Sequence, residues 1–247
     1  MTGQALDIGG SRARLYLFED ATVVRRSEIW LPARVEQEGE LDWGRRRVEA
    51  IADFVGQNFE PSQPMLPTSC AGRKDEKRGS VTLSFYGSPL PDLVAAVGKT
   101  CEVDLGVLYD DDVCAGWGHL VSPWGGLTRQ APPTVLLTAG TGLAECLWVG
   151  GEFIPKGSYA KAAEYGLEEP LRAAAWKDGE LPLEALQRLL AHRREIAPFK
   201  RLVLSGRFAE PGRNWPEELL DGTDLRICSL EEAPALGALS LSQGRQG

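Results

Sequence analysis

Two glycine turns are the residues most open to a chemical reading. "ALDIGGSRARLYLFEDAT" runs from Ala5 to Thr22 and "LLTAGTGLAECLWVGGEF" from Leu136 to Phe153. In each, a strand-like stretch meets a bare-backbone turn, Gly9-Gly10-Ser11 or Gly140-Thr141-Gly142, and a second strand-like stretch follows. Backbone amides without side chains in the way can approach a phosphate closely. A lone glycine turn says little, because most glycine turns only reverse the chain. Two at matching places could grip a polyphosphate from both sides. Asp7 stands just before the first turn, where a carboxylate suits a magnesium ion that arrives with a nucleotide; a strand-end Asp can also simply cap a turn. A third glycine, Gly206 in "RLVLSGRFAE", follows a buried strand and precedes a helix, as at the strand-end crevice where an adenosine could lie.

The two stretches superimpose without gaps at an offset of 131 residues, with Gly9 on Gly140, Ala13 on Ala144 and Val23 on Ile154. Alternation puts Leu15 and Leu17 on one face of their strand and Arg14, Tyr16 and Phe18 on the other. The match predicts an internal duplication. After the first copy we expect a helix over 42–57, a strand over 65–70, a helix over 89–97, a strand over 101–109 and a helix over 111–120. After the second we expect helices over 159–176 and 181–192, a strand over 201–204, a helix over 215–220, a strand over 225–228 and a helix over 231–241. Alternating strands and helices give an α/β class. The Pro/Gly-rich "SPWGGLTRQAPP" predicts a joint between two halves, 1–122 and 123–247.

Composition narrows the function. The chain has 247 residues, 43% of them hydrophobic and 25% charged, in the ordinary globular range. A net charge of −8 gives no sequence-wide basic footprint for nucleic acid. There is no apolar run of membrane-spanning length and no signal-peptide pattern near the N-terminus, so the expectation is a cytoplasmic protein that binds neither nucleic acid nor membrane. The five cysteines, Cys70, Cys101, Cys114, Cys146 and Cys228, lack metal-ligand spacing and read as buried thiols. With only His119 and His192 besides, no structural zinc is expected.

Taken together, these segments resemble the ROK family (repressors, open reading frames and kinases) of the sugar kinase, actin and heat-shock chaperone superfamily. "LDIGGSRARLYLF" and "TAGTGLAECLWVGGEF" are similar to its two phosphate motifs. "PTSCAGRKDEKRGSVTLSFYGSPLPDL", "LYDDDVCAGWGHL", "YAKAAEYGLEEP", "LVLSGRF" and "EEAPALGALSLS" resemble its other segments, in order, over nearly the whole chain. The resemblance implies a duplicated two-domain actin-like ATPase fold with ribonuclease H-like halves and a nucleotide cleft between them. It implies an ATP-dependent sugar kinase using Mg2+ and acting on a hexose or N-acetylated hexosamine, with a sugar and a nucleotide as partners and a homodimer as a possible assembly.

By position, Asp111 falls on the family's catalytic base, with Gly118 seven residues on. Asp110 and Glu164 fall on sugar ligands, and Gly72 lies in the sugar-binding segment. Leu167 replaces the family's zinc-binding histidine, and the family's zinc cysteines and the sugar-binding Asn near "SFYGSPL" are missing. Ala144-Glu145-Cys146 replaces further glycines, and alternation turns Glu145 to the face opposite Ala144 and Cys146. The segment after Glu164 is expected to dock through Leu167, Leu171 and Trp176, and the cleft to close on its ligand. A non-catalytic sugar or nucleotide sensor and, more weakly, an actin-like filament former remain alternatives.

Overall fold

The structure, a computed structural model, describes residues 1–75, 79–82, 89–159, 165–171, 176, 182–211, 215 and 222–244. The first half begins with β1 (Gly3–Ile8), β2 (Arg12–Glu19) and β3 (Thr22–Trp30), then α1 (Glu40–Asn58). Next come β4 (Thr68–Cys70), β5 (Arg73–Asp75), β6 (Ser80–Thr82), β7 (Pro89–Leu90), α2 (Leu93–Cys101), β8 (Leu108–Asp110) and α3 (Asp111–Val121). After the Pro/Gly-rich joint come β9 (Thr134–Ala139), β10 (Leu143–Val149), β11 (Glu152–Pro155), α4 (Tyr165–Glu168) and α5 (Leu183–Ile196). The chain ends with β12 (Arg201–Gly206), β13 (Asp224–Cys228) and α6 (Ala233–Ser242).

The class is α/β with mixed sheets. One sheet has the order β3-β2-β1-β4-β8 and the other β11-β10-β9-β12-β13. In each, an antiparallel three-strand meander joins two strands parallel to its first strand. A small sheet of β5, β6 and β7 stands apart.

Both large sheets are covered on both faces. On the first, Leu6, Ile8, Ala13 and Leu15 meet α1 and α2 through Val48, Ile51, Val55 and Val97. The α1 residues recur every three or four positions, so one helical stripe is buried, each aliphatic side chain contributing about 1.5–3 kcal/mol. On the other face, Ala5, Tyr16 and Phe18 meet Leu236 and Leu239 of α6. The second sheet buries Leu137, Leu143 and Leu147 against Leu186, Leu189 and Leu190 of α5, and Leu136, Cys146 and Val203 against Ala115 of α3. The two central helices α3 and α6 thus lie between the sheets and cross at very short range. A Cβ at Gly118 would lie 2.0 Å from the Ala233 carbonyl oxygen, and one at Gly237 would lie 1.8 Å from that of Cys114. Both positions demand glycine for backbone approach, which accounts for Gly118 seven residues after Asp111.

Several boundaries differ from the sequence expectations. Cys101 ends a helix rather than starting a strand: Glu102 takes a left-handed conformation (φ 54°), Gly106 turns the chain (φ 59°), and the strand is only Leu108–Asp110. The alternating Val103, Leu105 and Val107 mimicked a strand, yet Val103 and Leu105 reach the core from irregular chain. Pro89 and Pro91 delay the next helix to Leu93, leaving Pro89–Leu90 as a strand. Pro67 confines β4 to Thr68–Cys70, with Met65 held by an isolated bridge to Asp104. A 3-10 turn, Arg207–Ala209, replaces the helix expected after Gly206. The segment around Leu167 is α4 followed by a 3-10 turn, Glu169–Leu171. Leu171 and Trp176 are buried there and Leu167 packs against the same cluster, as expected. Of the helix expected over 215–220, only Trp215 is among the described residues.

The 131-residue offset holds up to the glycine turns and then becomes 130. In the first hairpin Ile8 pairs with Ala13, and in the second Ala139 pairs with Leu143. The first turn closes from Gly9 N–H to the Arg12 carbonyl (2.9 Å) and the second from Gly140 N–H to the Gly142 carbonyl (2.8 Å). The second turn is therefore one residue tighter, so Arg14 corresponds to Ala144 and Leu15 to Glu145.

Candidate active site

Most of the site residues expected from sequence surround one cleft. A compartment of about 900 Å³ is lined by Asp7, by both glycine turns, and by Gly72, Asp110 and Asp111. A second, of about 680 Å³, shares Asp7, Ser11 and Thr141 with the first and adds Gly206, Arg207 and Trp30. The turns form the wall between the two compartments and touch, with Ser11 Oγ and Thr141 Oγ1 sharing a 3.0 Å hydrogen bond. Glu164 lies outside the described residues.

Each side chain is placed by its element. Asp7 is the penultimate residue of β1, directly across from Arg14 on β2. Its carboxylate is buried and accepts a hydrogen bond from Arg14 Nη1 at 3.3 Å. Burial pushes its pKa up to about 6 against the pull of Arg14. Parallel strand β8 delivers Asp110 and Asp111 at its carboxyl end, where α3 begins. Asp111, half-buried in the first turn of α3, has its pKa raised by burial, opposed by Lys74 and reinforced by Asp110. A raised pKa makes a carboxylate a better proton acceptor while the helix N-terminus still favours its ionised form. Asp112 is pushed up to about 7, chiefly by burial and by Asp111, and accepts from the backbone N–H of Lys156 at 3.2 Å.

Gly206 is required by a close approach. Its φ is +64°, and a Cβ would lie 2.4 Å from the Ala139 carbonyl oxygen. Gly72 also has positive φ, 97°, and turns the chain from β4 into β5.

Sequence reasoning missed three basic residues. Lys74 on β5 is largely buried, and its ammonium donates to Asp110 and to the Gly72 carbonyl. Asp110, which lines the cleft, therefore meets a cation of its own chain. Arg47, buried on α1, donates to the Gly10 carbonyl and stacks over Trp43, 5.2 Å from the ring centroid. It holds the first glycine turn from below. Its signal was an arginine on an otherwise apolar helical stripe. The third, Arg193 on α5, forms an ion pair with Glu145 at 2.6 Å and with Glu168 at 3.2 Å, all three buried. Glu168 is also paired with Lys156, and the Tyr159 hydroxyl donates to Glu145 at 3.0 Å. Glu145 does turn away from Ala144 and Cys146, as alternation implied, and this cluster neutralises it. Leu167 packs against the apolar cluster of Leu171, Leu186 and Leu189.

Cys70, Cys114 and Cys146 are buried thiols and Cys101 and Cys228 are half-buried. Burial pushes Cys70 up to about 12. Among the described residues no group of three or more His, Cys, Asp and Glu side chains could hold a metal ion. No described helix is long and apolar enough to cross a membrane.

The fold is that of ROK family structures. The inorganic polyphosphate/ATP-glucomannokinase from Arthrobacter sp. strain KM superposes with a TM-score of 0.74 at 16% identity, over 100% of this chain and 99% of that one. The ROK family glucokinase from Streptomyces griseus, solved with glucose and AMPPNP, gives 0.66 at 17% identity over 100% of both chains. A ROK family transcriptional regulator, a homolog of the E. coli MLC protein, gives 0.61 at 14% identity over 98% of this chain and 78% of that one. The chain matches no protein-family model and no curated protein.

Proposed function

We propose that this chain is an ATP-dependent sugar kinase that transfers the terminal phosphate to a hydroxyl of a hexose or N-acetylated hexosamine. The observation that carries the reading is the cleft, which brings the Asp111 carboxylate, two glycine turns and Asp7 around one space. The residues would come from two duplicated actin-like halves, 1–122 and 123–247, with α6 packed back onto the first sheet. A cytoplasmic location fits these substrates.

Phosphoryl transfer asks mainly for positioning and charge neutralisation. Asp111 accepts the proton of the acceptor hydroxyl and aims that oxygen at the donor. Asp110, Gly72 and Glu164 contact neighbouring hydroxyls. The Gly9 and Gly140 amides close the turns, the amides of Gly10, Ser11, Thr141 and Gly142 face the phosphates, and Gly206 opens the floor for the nucleoside. One buried carboxylate beside phosphate oxygens is the usual donor set for magnesium. Asp7 fits it, and the ion when bound supplies positive charge against the phosphates. The test is a magnesium-ATP turnover screen over hexoses, hexosamines and N-acetylated sugars. Phosphorylation of at least one supports the reading, and none across the panel sinks it.

The second reading is a non-catalytic sugar or nucleotide sensor. The pairing of Asp110 with Lys74 favours it, because that carboxylate is engaged before any sugar arrives. Saturable sugar or nucleotide binding without turnover is its signature.

A further inference from the structure

Asp110 occupies the N-cap of α3, where an aspartate ordinarily accepts from the amides of the first turn. Here its side chain makes no cap bond. Its Oδ1 accepts from the Lys74 ammonium instead, and that ammonium also donates to the Gly72 carbonyl at 3.0 Å. The two partners are placed differently. The Lys74 side chain is 11% exposed, whereas that of Asp110 is 53% exposed and lines the cleft. The cation therefore sits behind the wall and the carboxylate at its surface. Alternation along β5 explains this, with Arg73 and Asp75 exposed and Lys74 between them turned inward. Burial pulls the ammonium's pKa down, but the bond and charge of Asp110 outweigh it, so the net shift is upward and Lys74 stays charged. Asp111 follows Asp110 directly, so without Lys74 two uncompensated carboxylates would stand side by side at one wall of the cleft.

We propose that Lys74 makes the sugar site selective for uncharged sugars by cancelling the charge of Asp110 from behind. The assignment rests on the reading of this cleft as a sugar site. With Oδ1 held by Lys74, Asp110 keeps Oδ2 to accept from a sugar hydroxyl. A hexose or an N-acetylated hexosamine supplies that hydroxyl at no cost in charge. A free amino sugar brings an ammonium, which must leave water and gains most from a carboxylate that has no other cation. Asp110 already has one, so the ammonium is not repaid. Lys74 is a positioning residue, acting on the sugar through Asp110. Arg73 is exposed and also lines the cleft. It is present in every variant below and cancels in their comparison.

The experiment measures sugar affinity by calorimetry, so it does not depend on turnover. The probes are the best-binding neutral sugar and its monoamino analogues, one protonated amine in place of each hydroxyl in turn. Wild type should bind the neutral parent at least as well as every analogue. Lys74→Met should shift the ratio toward one analogue, the one whose ammonium meets Asp110, by about threefold or more, the worth of a half-exposed ion pair. Asp110→Asn/Lys74→Met should lose that shift, because the amide carries no charge for the ammonium to find. If Lys74→Met fails to fold, Lys74→Gln keeps a donor for Asp110 without the charge and reads the same ratio. A lysine that only braced the fold would weaken parent and analogues alike. Ratios unchanged in the Lys74 variants, a shift that persists in the double variant, or a wild type that prefers an ammonium analogue overturns the role of Lys74 and leaves the sugar site standing. A wild type that binds no sugar of the panel removes the sugar reading and this assignment with it.

Discussion

The first hairpin sets Asp7 and Arg14 along the cleft, and the second pairs its Glu145 with Arg193 of α5. Counted from each glycine turn, the second rung of the ladder is Asp7–Arg14 in one and Thr138–Ala144 in the other. The third rung is Leu6–Leu15 in one and Leu137–Glu145 in the other. One pleat separates these rungs, and one pleat decides whether a side chain meets the cleft or the outer helices. The first half therefore holds Asp7, Arg14 and Asp111 on the cleft. The second half holds Glu145, Glu168 and Arg193 in a buried cluster whose Glu145 and Lys156 reach the wall of the same cleft. The same architecture serves chemistry on one side and bracing on the other, so mutations in the two halves should fail differently.

The largest effect is expected at Asp111. Asp111→Asn keeps the size and a hydrogen-bonding oxygen but cannot take the proton as a carboxylate does. Loss of a general base costs about 10²–10⁴-fold in rate. Single-turnover phosphorylation on the best sugar of the screen should show that drop, with nucleotide affinity and melting temperature nearly unchanged. A folded variant within a few-fold of wild type would remove Asp111 from the base role.

The second half should show the converse pattern. Arg193→Met leaves two buried glutamates short of a cation, and breaking such a pair from one side typically costs about 3–5 kcal/mol. For a chain of this size that is a fall in melting temperature on the order of 10 °C. Glu145→Leu/Arg193→Met should recover much of it, because Glu168 keeps Lys156. A single variant that melts with wild type, or a double variant no better than the single, would show that the cluster does not brace this half.

The hairpins, the central helix α3, the closing helix α6 and the α/β class were legible because they rest on local signals: alternation, glycine turns and an ungapped repeat. Cleft residues near those signals, such as Asp7 and Asp111, could be found from sequence for the same reason. The single-residue tightening of the second turn was not legible, since Ala13 and Ala144 align equally well in the one-dimensional repeat, and only the ladder shows that Arg14 matches Ala144. Arg47, Lys74 and Arg193 were missed because each acts on a residue 36 or more positions away. The stretch after Cys101 was misread because Val103 and Leu105 are buried from irregular chain, where alternation has no strand behind it.

A smaller effect joins the halves. Asp112 begins in α3 of the first half and accepts from Lys156 N–H of the second. Its folded pKa is raised from 3.8 to about 7. The unfolded chain therefore releases this proton near pH 4 and the folded chain near pH 7. Stability falls as pH rises through that window and is level above it. Asp112→Asn removes the loss while its amide oxygen still accepts the hydrogen bond. Relative to wild type it should gain nothing at pH 4 and roughly 2–4 kcal/mol above pH 7. Urea denaturation at the two pH values checks this, and an equal difference at both would refute the buried-charge account.

The smallest effect tests the bracing cluster at its edge. The Tyr159 hydroxyl donates to Glu145 Oε1 at 3.0 Å, and its ring lies 5.6 Å from the Arg193 guanidinium carbon. Tyr159→Phe deletes the donor and keeps the ring, so packing and the cation–π contact survive. Hydrogen bonds to charged groups contribute about 1.5–3 kcal/mol. Glu145 still receives two bonds from Arg193, at 2.6 and 3.2 Å, so the loss should be about 1 kcal/mol, the middle of the range for ordinary hydrogen bonds and below that for bonds to a charge. The effect should vanish in Glu145→Leu/Arg193→Met, where the hydroxyl has no carboxylate to serve. A double-mutant cycle on melting free energies measures that coupling. Turnover should move little, because the Glu145 carboxylate at the wall of the cleft stays held by Arg193 when the hydroxyl is gone. If Tyr159→Phe slowed phosphorylation while leaving stability intact, Glu145 would belong to the reacting side of the second hairpin, and the division between a charged cleft in one half and a braced core in the other would fail.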